Sequence, residues 1–318
     1  MPRSSASAVA SDGFTVADVR FLLTGPAAAD PDAFPPSFRE FRRHAPGADL
    51  TCRVSALGPD PSLDALPSVP ESPWLFTVRG DTCQLLRRDA AGRVLWRIVA
   101  PLAFDEAAVA WHPELFPAVY RRYEQAWGAS LGLTLLVFRL RACGGLALHG
   151  AAADLDGRGV IGVGVSGSGK STFARLLHAS GASVLTDERP ILRQWPPPPA
   201  VAAETPPDAA GAPMFRVHGS PWPSSAGFAR PAWAPLRRLY FLEHAAATRL
   251  TPLEPQEAFQ RLLHVATIPW HDPALFDPCL ATVEALLAAV PCAVLGFRPD
   301  AGAVEAVRAD LDRKGAAA

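Results

Sequence analysis

The segment Gly164-Val-Ser-Gly-Ser-Gly-Lys-Ser171 fits the phosphate-binding pattern G-x-x-x-x-G-K-[ST] without a mismatch. Glycines in such a segment let the backbone curl until successive N–H groups converge on phosphate oxygens. The amine of Lys170 would neutralise the β and γ phosphates of a nucleotide, and the hydroxyl of Ser171 would bind Mg²⁺. The segment therefore predicts a site for a nucleoside triphosphate.

The residues on either side supply the strand and the helix that a phosphate-binding loop needs. Residues 160–163 form a short apolar run typical of a strand, and residues 172–178 predict a helix that ends near Gly181. The N-terminus of that helix would direct the positive end of its dipole at the phosphates. Only two of the chain's 30 basic residues are lysines, so a chance match to the pattern is rare. The predicted nucleotide-binding residues are Gly164, Val165, Ser166, Gly167, Ser168, Gly169, Lys170, Ser171 and Thr172.

Two acidic residues, Asp187 and Glu188, follow the predicted strand Ser183–Thr186. If the helix crosses back to a parallel strand in the usual right-handed sense, both acids lie at the same sheet edge as the loop. One acid would then hold Mg²⁺, and the other would take a proton from an attacking hydroxyl.

A histidine is also expected at this edge. The pair Asp156-Gly157 predicts a hairpin turn between the apolar runs 146–149 and 160–163. Folding the chain about Gly157 places His149 opposite Val165, at the mouth of the loop. A histidine there would hydrogen-bond the catalytic carboxylate and tune its basicity.

The N-terminal half of the chain reads as mostly β. The runs 74–79, 83–87 and 94–99 are separated by turn residues and predict a β-meander, and residues 118–140 have helical spacing. In the C-terminal half, a strand is expected at 236–243 and helices at 255–265 and 280–289. The predicted organisation is a loose N-terminus (1–12), a β-rich domain ending in a helix (13–140), and a phosphate-loop domain (141–318) with a proline-rich insertion (195–213).

Composition excludes several classes of protein. With 318 residues, 49% of them hydrophobic and 19% charged, the chain buries a real core and is not disordered as a whole. A net charge of −1 does not favour nucleic-acid binding, which leaves a DNA-processing ATPase disfavoured. The longest apolar stretch, 131–138, is too short to span a membrane, and no signal-peptide run opens the chain. Five cysteines without C-x-x-C spacing are typical of a reducing compartment, so we expect a cytoplasmic protein.

The order of these features resembles that of a known family. His149, the phosphate-binding loop and Thr186-Asp-Glu-Arg189 fall within about 40 residues, as in the catalytic domain of HPr kinase/phosphorylase and its HPr-kinase-like relatives. These proteins share a core with phosphoenolpyruvate carboxykinase and include kinases that modify ribosomally made peptides such as lasso-peptide precursors. Residues 218–222 and 236–243 also look like the G-x-P-W loop and following strand of that group.

The resemblance implies an α/β phosphate-loop catalytic domain that uses ATP and Mg²⁺. It assigns catalytic roles to His149, Lys170 and Asp187, with Asp187 as the proton acceptor, and Mg²⁺ binding to Ser171 and Glu188. It covers residues 146–289. Glu188 stands where the family usually has a second aspartate, and its extra methylene shifts a metal ligand by about an ångström. No segment matches the HPr-docking region of the bifunctional enzymes, so HPr itself is not the expected acceptor.

The expected function is transfer of the γ-phosphoryl group of ATP to a serine hydroxyl in a peptide or protein. A ribosomally made peptide is one acceptor that the resemblance suggests, and family self-association suggests a homo-oligomer. One alternative keeps the chemistry but uses a small-molecule acceptor, bound by arginines such as Arg189, Arg216 and Arg230. Another is a nucleotide-binding regulatory protein without transfer activity. Nucleic acid and membrane are not expected partners.

Overall fold

The computed structural model describes residues 11–25, 34–42, 47–57, 74–112, 127, 130–196 and 214–315. Within these residues the fold is α/β, with two mixed sheets and few helices. The chain divides into two compact units, Met1–Arg139 and Leu140–Ala318. Residues 1–10 of the predicted loose N-terminus and residues 197–213 of the predicted insertion lie outside the described part. Ser11 and Asp12 were expected to be loose but already belong to the first strand.

The N-terminal unit is built on one mixed sheet. Its strands are β1 (Ser11–Val16), β2 (Val19–Thr24), β3 (Leu50–Ala56), β4 (Trp74–Arg79), β5 (Thr82–Arg88), β6 (Val94–Pro101) and β7 (Glu106–Trp111). They lie in the order β1-β2-β3-β7-β6-β5-β4. Strand β3 is parallel to both its neighbours, and the other neighbouring strands are antiparallel. The predicted β-meander is confirmed over β4, β5 and β6.

One face of this sheet packs on an aromatic core. Trp127 is fully buried, stacks on Phe34 and meets Phe14 edge to face. Helix α1 (Ser130–Leu140) follows and crosses the boundary between the units in sequence. The spacing that predicts a helix over 118–140 is therefore confirmed from residue 130, while residues 113–126 lie outside the described part.

The C-terminal unit carries the second mixed sheet. Its strands are β8 (Gly145–Leu148), β9 (Gly150–Asp154), β10 (Gly159–Val163), β11 (Ser183–Thr186), β12 (Ile191–Trp195), β13 (Met214–His218), β14 (Trp233–His244), β15 (Arg249–Pro252), β16 (Ala266–Thr267) and β17 (Cys292–Phe297). Its helices are α2 (Lys170–Ala179), α3 (Pro255–Val265), α4 (Pro273–Ala289) and α5 (Gly302–Gly315). The strand order is β11-β9-β10-β14-β13-β12-β8-β16, and β17 pairs with β14 and β15.

The hairpin predicted at Asp156-Gly157 is present, joining β9 to β10. Both residues have positive φ, 57° and 79°, and Leu155 and Arg158 exchange backbone hydrogen bonds across them. This is the two-residue turn whose twist matches antiparallel strands. The run 146–149 is not one arm of that hairpin, however. It forms the separate strand β8, which pairs with β12 and β16.

The strands on either side of β10 include two that run parallel to it. Strand β14 is directly parallel to β10, and β11 is also parallel to it but separated by the antiparallel β9. The carboxyl ends of β10, β11 and β14 therefore lie at the same edge of the sheet. Helix α2 packs closely on β10, since a Cβ added at Gly162 would lie 2.7 Å from the ring of Phe173.

Helix α4 begins at Pro273, seven residues before the predicted start, and contains Pro278. A proline inside a helix leaves the carbonyl four residues earlier without its usual partner. Here that carbonyl belongs to Ala274, and the guanidinium of Arg141 donates a hydrogen bond to it at 3.1 Å. A residue more than 130 positions away thus allows the helix to run through the proline.

All five cysteines are buried free thiols, so none forms a disulfide. Burial raises the pKa of Cys279 to about 11 and that of Cys292 to about 12. No helix in the described ranges is both long enough and apolar enough to cross a membrane.

Helix α5 is tied to β14 by one carboxylate. Asp310 accepts hydrogen bonds from Arg238 at 2.9 Å and from the Tyr240 hydroxyl at 3.0 Å. Burial raises the pKa of Asp310, but these hydrogen bonds and the Arg238 charge outweigh it and hold the pKa below its ordinary value.

Replacing Asp310 with asparagine is expected to lower the free energy of unfolding by about 1 kcal/mol at neutral pH, because both donors lose a charged acceptor. The stabilisation is present above the unfolded-state pKa and is lost as pH falls through the folded-state pKa of Asp310. Urea unfolding across pH checks this. The control is Asp312→Asn, which removes an exposed partner of Arg158 on the same helix and should cost less than about 0.5 kcal/mol. Equal losses for the two variants would contradict the prediction.

Candidate functional site

The predicted phosphate-binding loop connects β10 to α2, and its backbone depends on glycine. Gly167 and Gly169 have φ values of 84° and 94°, in the region that favours glycine. A Cβ added at Gly164 would lie 2.3 Å from the Ser168 hydroxyl, and one at Gly169 would lie 2.9 Å from the Phe297 ring. The loop is therefore tightly folded over the start of the helix.

Lys170 points back across this loop. Its side chain is largely buried, and Nζ donates a hydrogen bond of 2.8 Å to the carbonyl of Val165. Burial lowers the pKa of Lys170, and the negative charge of Glu188 partly opposes that effect. Ser171 and Thr172, the two hydroxyl residues that follow, are partly exposed in the first turn of α2.

His149 and Glu188 form a pair at the same edge. The imidazole Nε2 of His149 lies 2.8 Å from Glu188 Oε1, and the Arg189 guanidinium approaches the same oxygen at 3.7 Å. Both side chains of the pair are about one quarter exposed, at 26% and 23%. Within the described residues, His149 Nδ1 and Glu188 Oε2 have no hydrogen-bond partner. The structure thus brings together His149, Glu188 and the lysine of the loop.

The register of the hairpin places His149 one residue away from its expected partner. Gly150 pairs with Val163, so His149 lies opposite Gly164, not Val165, and its carbonyl accepts a 3.3 Å hydrogen bond from the Gly164 amide. The prediction folded the chain about Gly157 itself, whereas the two-residue turn is centred between Asp156 and Gly157, which shifts every pairing by one residue.

The electrostatics of the site keep Glu188 ionised. Burial raises the pKa of Glu188, but the hydrogen bond from His149 and the charges of His149, Arg189 and Lys170 together hold it below its ordinary value. A carboxylate that stays ionised is suited to binding a cation and to accepting a hydrogen bond.

Asp187 differs from the sequence-based expectation. Its side chain is fully buried. Oδ1 accepts hydrogen bonds from the amides of Ser224 and Phe228 at 3.1 and 3.2 Å, and Oδ2 accepts one from Ala226 at 2.8 Å. In this arrangement the carboxylate faces the amides of residues 224–228 and is not open to a substrate hydroxyl, which does not favour the role of proton acceptor predicted for Asp187.

The strand next to the loop adds residues that the sequence motifs did not indicate. His244, at the end of β14, has Nε2 2.7 Å from the Gly167 carbonyl, to which the ring N–H donates. Glu243 forms an ion pair with Arg261 at 2.7 Å, and Arg261 also pairs with Glu257. These residues can be found only from the strand order, because the pairing of β14 with β10 is what brings the end of β14 to the loop.

The arginines proposed for a small-molecule pocket contact different parts of the unit. Arg189 approaches Glu188, Arg216 lies over the rings of Trp195 and Trp233, and Arg230 reaches the hydroxyl of Ser183. Ser183 begins the strand β11, whereas Glu188 follows its end.

The residues present fit a magnesium–nucleotide complex. A serine hydroxyl (Ser171) and an ionised carboxylate (Glu188) are oxygen donors, and Mg²⁺ is usually held by few protein ligands together with phosphates and water. No cluster of three or more His, Cys, Asp or Glu side chains that could hold a metal occurs among the described residues.

No protein-family model matches the chain, and no curated protein matches it.

Replacing His149 with alanine is expected to raise the pKa of Glu188, because both the hydrogen bond and the charge that lower it are removed. NMR titration of the side-chain carboxyl carbon, in nucleotide-free and magnesium-free protein, measures this. Arg189→Gln serves as the control, since Arg189 contributes only its charge and should produce a smaller rise. An unchanged Glu188 pKa in His149→Ala would show that the pair is not formed in solution.

Proposed function

We propose that the C-terminal unit is an ATP-dependent kinase of the HPr-kinase-like type, which transfers the γ-phosphoryl group to a hydroxyl. The observation that carries this proposal is the meeting of the Lys170 loop with the His149–Glu188 pair at one sheet edge. A phosphate-binding loop alone supports nucleotide binding. The His149–Glu188 pair beside the loop adds a group that can accept the proton of an attacking hydroxyl.

In this proposal His149 is the proton acceptor. An ionised Glu188 can only accept a hydrogen bond, so in the neutral form of the imidazole the hydrogen is on Nε2 and the lone pair is on Nδ1. Nδ1 has no partner among the described residues, and the ring is partly exposed. A base whose ring is oriented by a carboxylate is a recurrent arrangement in catalysis. His149 thus takes the role that the sequence suggested for Asp187.

The remaining residues stabilise charge. On nucleotide binding, Lys170 would give up its hydrogen bond to the Val165 carbonyl and bind phosphate oxygens. The backbone amides of the loop and of the first turn of α2 would donate hydrogen bonds to the same oxygens. Ser171 and Glu188 would hold Mg²⁺, which when bound neutralises charge on the transferring phosphoryl group. Glu188 would then use Oε1 for His149 and Oε2 for the cation.

The proposed acceptor is a serine in a peptide or protein. Two points support it over a small molecule: the resemblance to peptide and protein kinases, and the dispersal of Arg189, Arg216 and Arg230 over different contacts. A ribosomally made peptide is one candidate within this class. Cytoplasmic location and self-association belong to the same proposal.

The test is to incubate the purified protein with Mg²⁺ and γ-labelled ATP in an extract of its source cells, and to separate the label by size. Label in a peptide or protein band that His149→Gln abolishes supports the proposal. Label confined to small molecules favours a small-molecule kinase. No variant-sensitive label, with ATP binding intact, favours the regulatory nucleotide-binding protein.

Once an acceptor is known, His149→Gln is expected to reduce kcat by about 10²–10⁴-fold, the usual contribution of a general base, with little change in the affinity for MgATP. Lys170→Ala should weaken MgATP binding as well. The matched control is His264→Gln, an exposed histidine at the end of α3, which should leave both quantities unchanged. Steady-state kinetics and calorimetry separate these effects. A His149→Gln variant with wild-type kcat would rule out proton transfer through this residue.

A further inference from the structure

The strand that ends at the site has an edge covered by a loop. Strand β11 stands at the end of the sheet order, so among the described strands β9 alone pairs with it. Residues 219–232, which we name the covering loop, connect β13 to β14 and run along the other edge. Ala229 bridges to Thr186, and the Arg230 amide donates to the Leu185 carbonyl at 2.9 Å. A strand edge left bare is a liability that proteins commonly cover.

The approach of this loop to β11 is very close. A Cβ added at Gly219 would lie 2.5 Å from the Leu185 carbonyl oxygen and 2.1 Å from that of Arg230. Only glycine fits between two such carbonyls. The start of the covering loop is therefore fixed against the strand that carries the acidic pair.

The middle of the covering loop is held by Asp187. The amides of Ser224, Ala226 and Phe228 all point at its two oxygens. Burying a carboxylate is costly unless hydrogen bonds satisfy it, and amide bonds to an ionised acceptor are stronger than those to a neutral one. Three alternate residues of one loop thus depend on a single side chain 37 to 41 positions earlier in the sequence.

The covering loop also touches the helix that begins at Lys170. The Arg175 guanidinium donates to the Ser225 carbonyl at 3.4 Å, and the ring of His178 lies 5.1 Å from that of Phe228. The loop consequently bridges β11 and α2, the two elements that present the acidic pair and the phosphate-binding lysine.

Fixing Asp187 also fixes its neighbour. Asp187 and Glu188 are consecutive residues of the bend that follows β11. Asp187 contacts the covering loop and Glu188 contacts His149, so anchoring the first carboxylate restricts the position of the second. The Thr186 hydroxyl accepts hydrogen bonds of 3.4 Å from the backbone amides of Glu188 and Arg189. The Glu188 carbonyl accepts a hydrogen bond of 3.1 Å from the Gly150 amide. The backbone of this turn is thereby held on both sides of Glu188.

We propose that Asp187 is a positioning residue: it locks the covering loop to the end of β11 and so holds Glu188 in contact with His149. This inference rests on the proposed kinase function for its effect on turnover. The lock itself does not depend on any activity.

The test compares Asp187→Asn with Glu188→Gln. An asparagine oxygen can accept the amides of Ser224 and Phe228, but its NH₂ group would face the N–H of Ala226, which leaves two donors in contact. Amide hydrogen exchange of the covering loop should therefore accelerate at least about 10-fold in Asp187→Asn. In Glu188→Gln, exchange in the covering loop should remain as in the wild type.

The kinetic expectation separates positioning from chemistry. Asp187→Asn should lower kcat by about 10- to 100-fold, the scale of a misplacement near one ångström, with KM for MgATP within about twofold. Phe228→Ala removes the ring contact between the covering loop and His178 but keeps the Asp187 carboxylate. It should also lower kcat and accelerate amide hydrogen exchange in the covering loop. This second variant provides the test if Asp187→Asn does not fold.

Two results would overturn the proposal. The first is loss of transfer in Asp187→Asn with unchanged exchange, which would place Asp187 in the chemistry itself. The second is faster exchange with wild-type kcat, which would make the covering loop irrelevant to the site. If the wild type transfers phosphate to no acceptor, the proposed function fails separately. The lock is then judged by the Nε2–H NMR signal of His149, which should be lost in Asp187→Asn if Asp187 positions Glu188, and kept if it does not.

Discussion

The register between β9 and β10 is the constraint on which the candidate site depends. It is set by a two-residue turn in which Asp156 and Gly157 both adopt positive φ. That turn aligns Gly150 with Val163, and His149 consequently meets the first residue of the phosphate-binding loop. Strand β11 pairs with the other edge of β9, with a register shift between Val184 and Thr186 just before the two acids. A shift of one residue would reverse the direction of every side chain on β9.

Much of this arrangement can be predicted from the sequence, because the signals are local. The loop pattern, the turn pair and the apolar runs each specify a short piece of backbone, and the hairpin and the helix after Lys170 appear where those signals lie. The parallel relation of β11 to β10 also follows from a general rule of connection. The family resemblance and the kinase activity remain predictions, since no match to a family model or a curated protein bears on them.

The parts that could not be predicted depend on distant partners. Nothing in Asp187-Glu188 indicates which carboxylate is enclosed, because the enclosing amides come from residues 224–228. The run 146–149 looks continuous in sequence, yet the chain changes sheet partners at His149. Helix α4 extends through Pro278 because Arg141 supplies the missing hydrogen bond. In each case the outcome depends on a contact that forms only in the folded chain.

If the loop binds phosphate as proposed, the hydrogen bond from Lys170 to Val165 means that a protein carbonyl already occupies the position of a phosphate oxygen. The amine has left most of its water before any nucleotide arrives, as its burial shows. An incoming phosphate therefore competes with a carbonyl oxygen, and the lysine contributes only the difference between a charged and a neutral acceptor. In the proposed site this self-contact would lower the affinity for phosphate and raise the selectivity for it, because a ligand with little negative charge would not be a better acceptor for the lysine than the carbonyl.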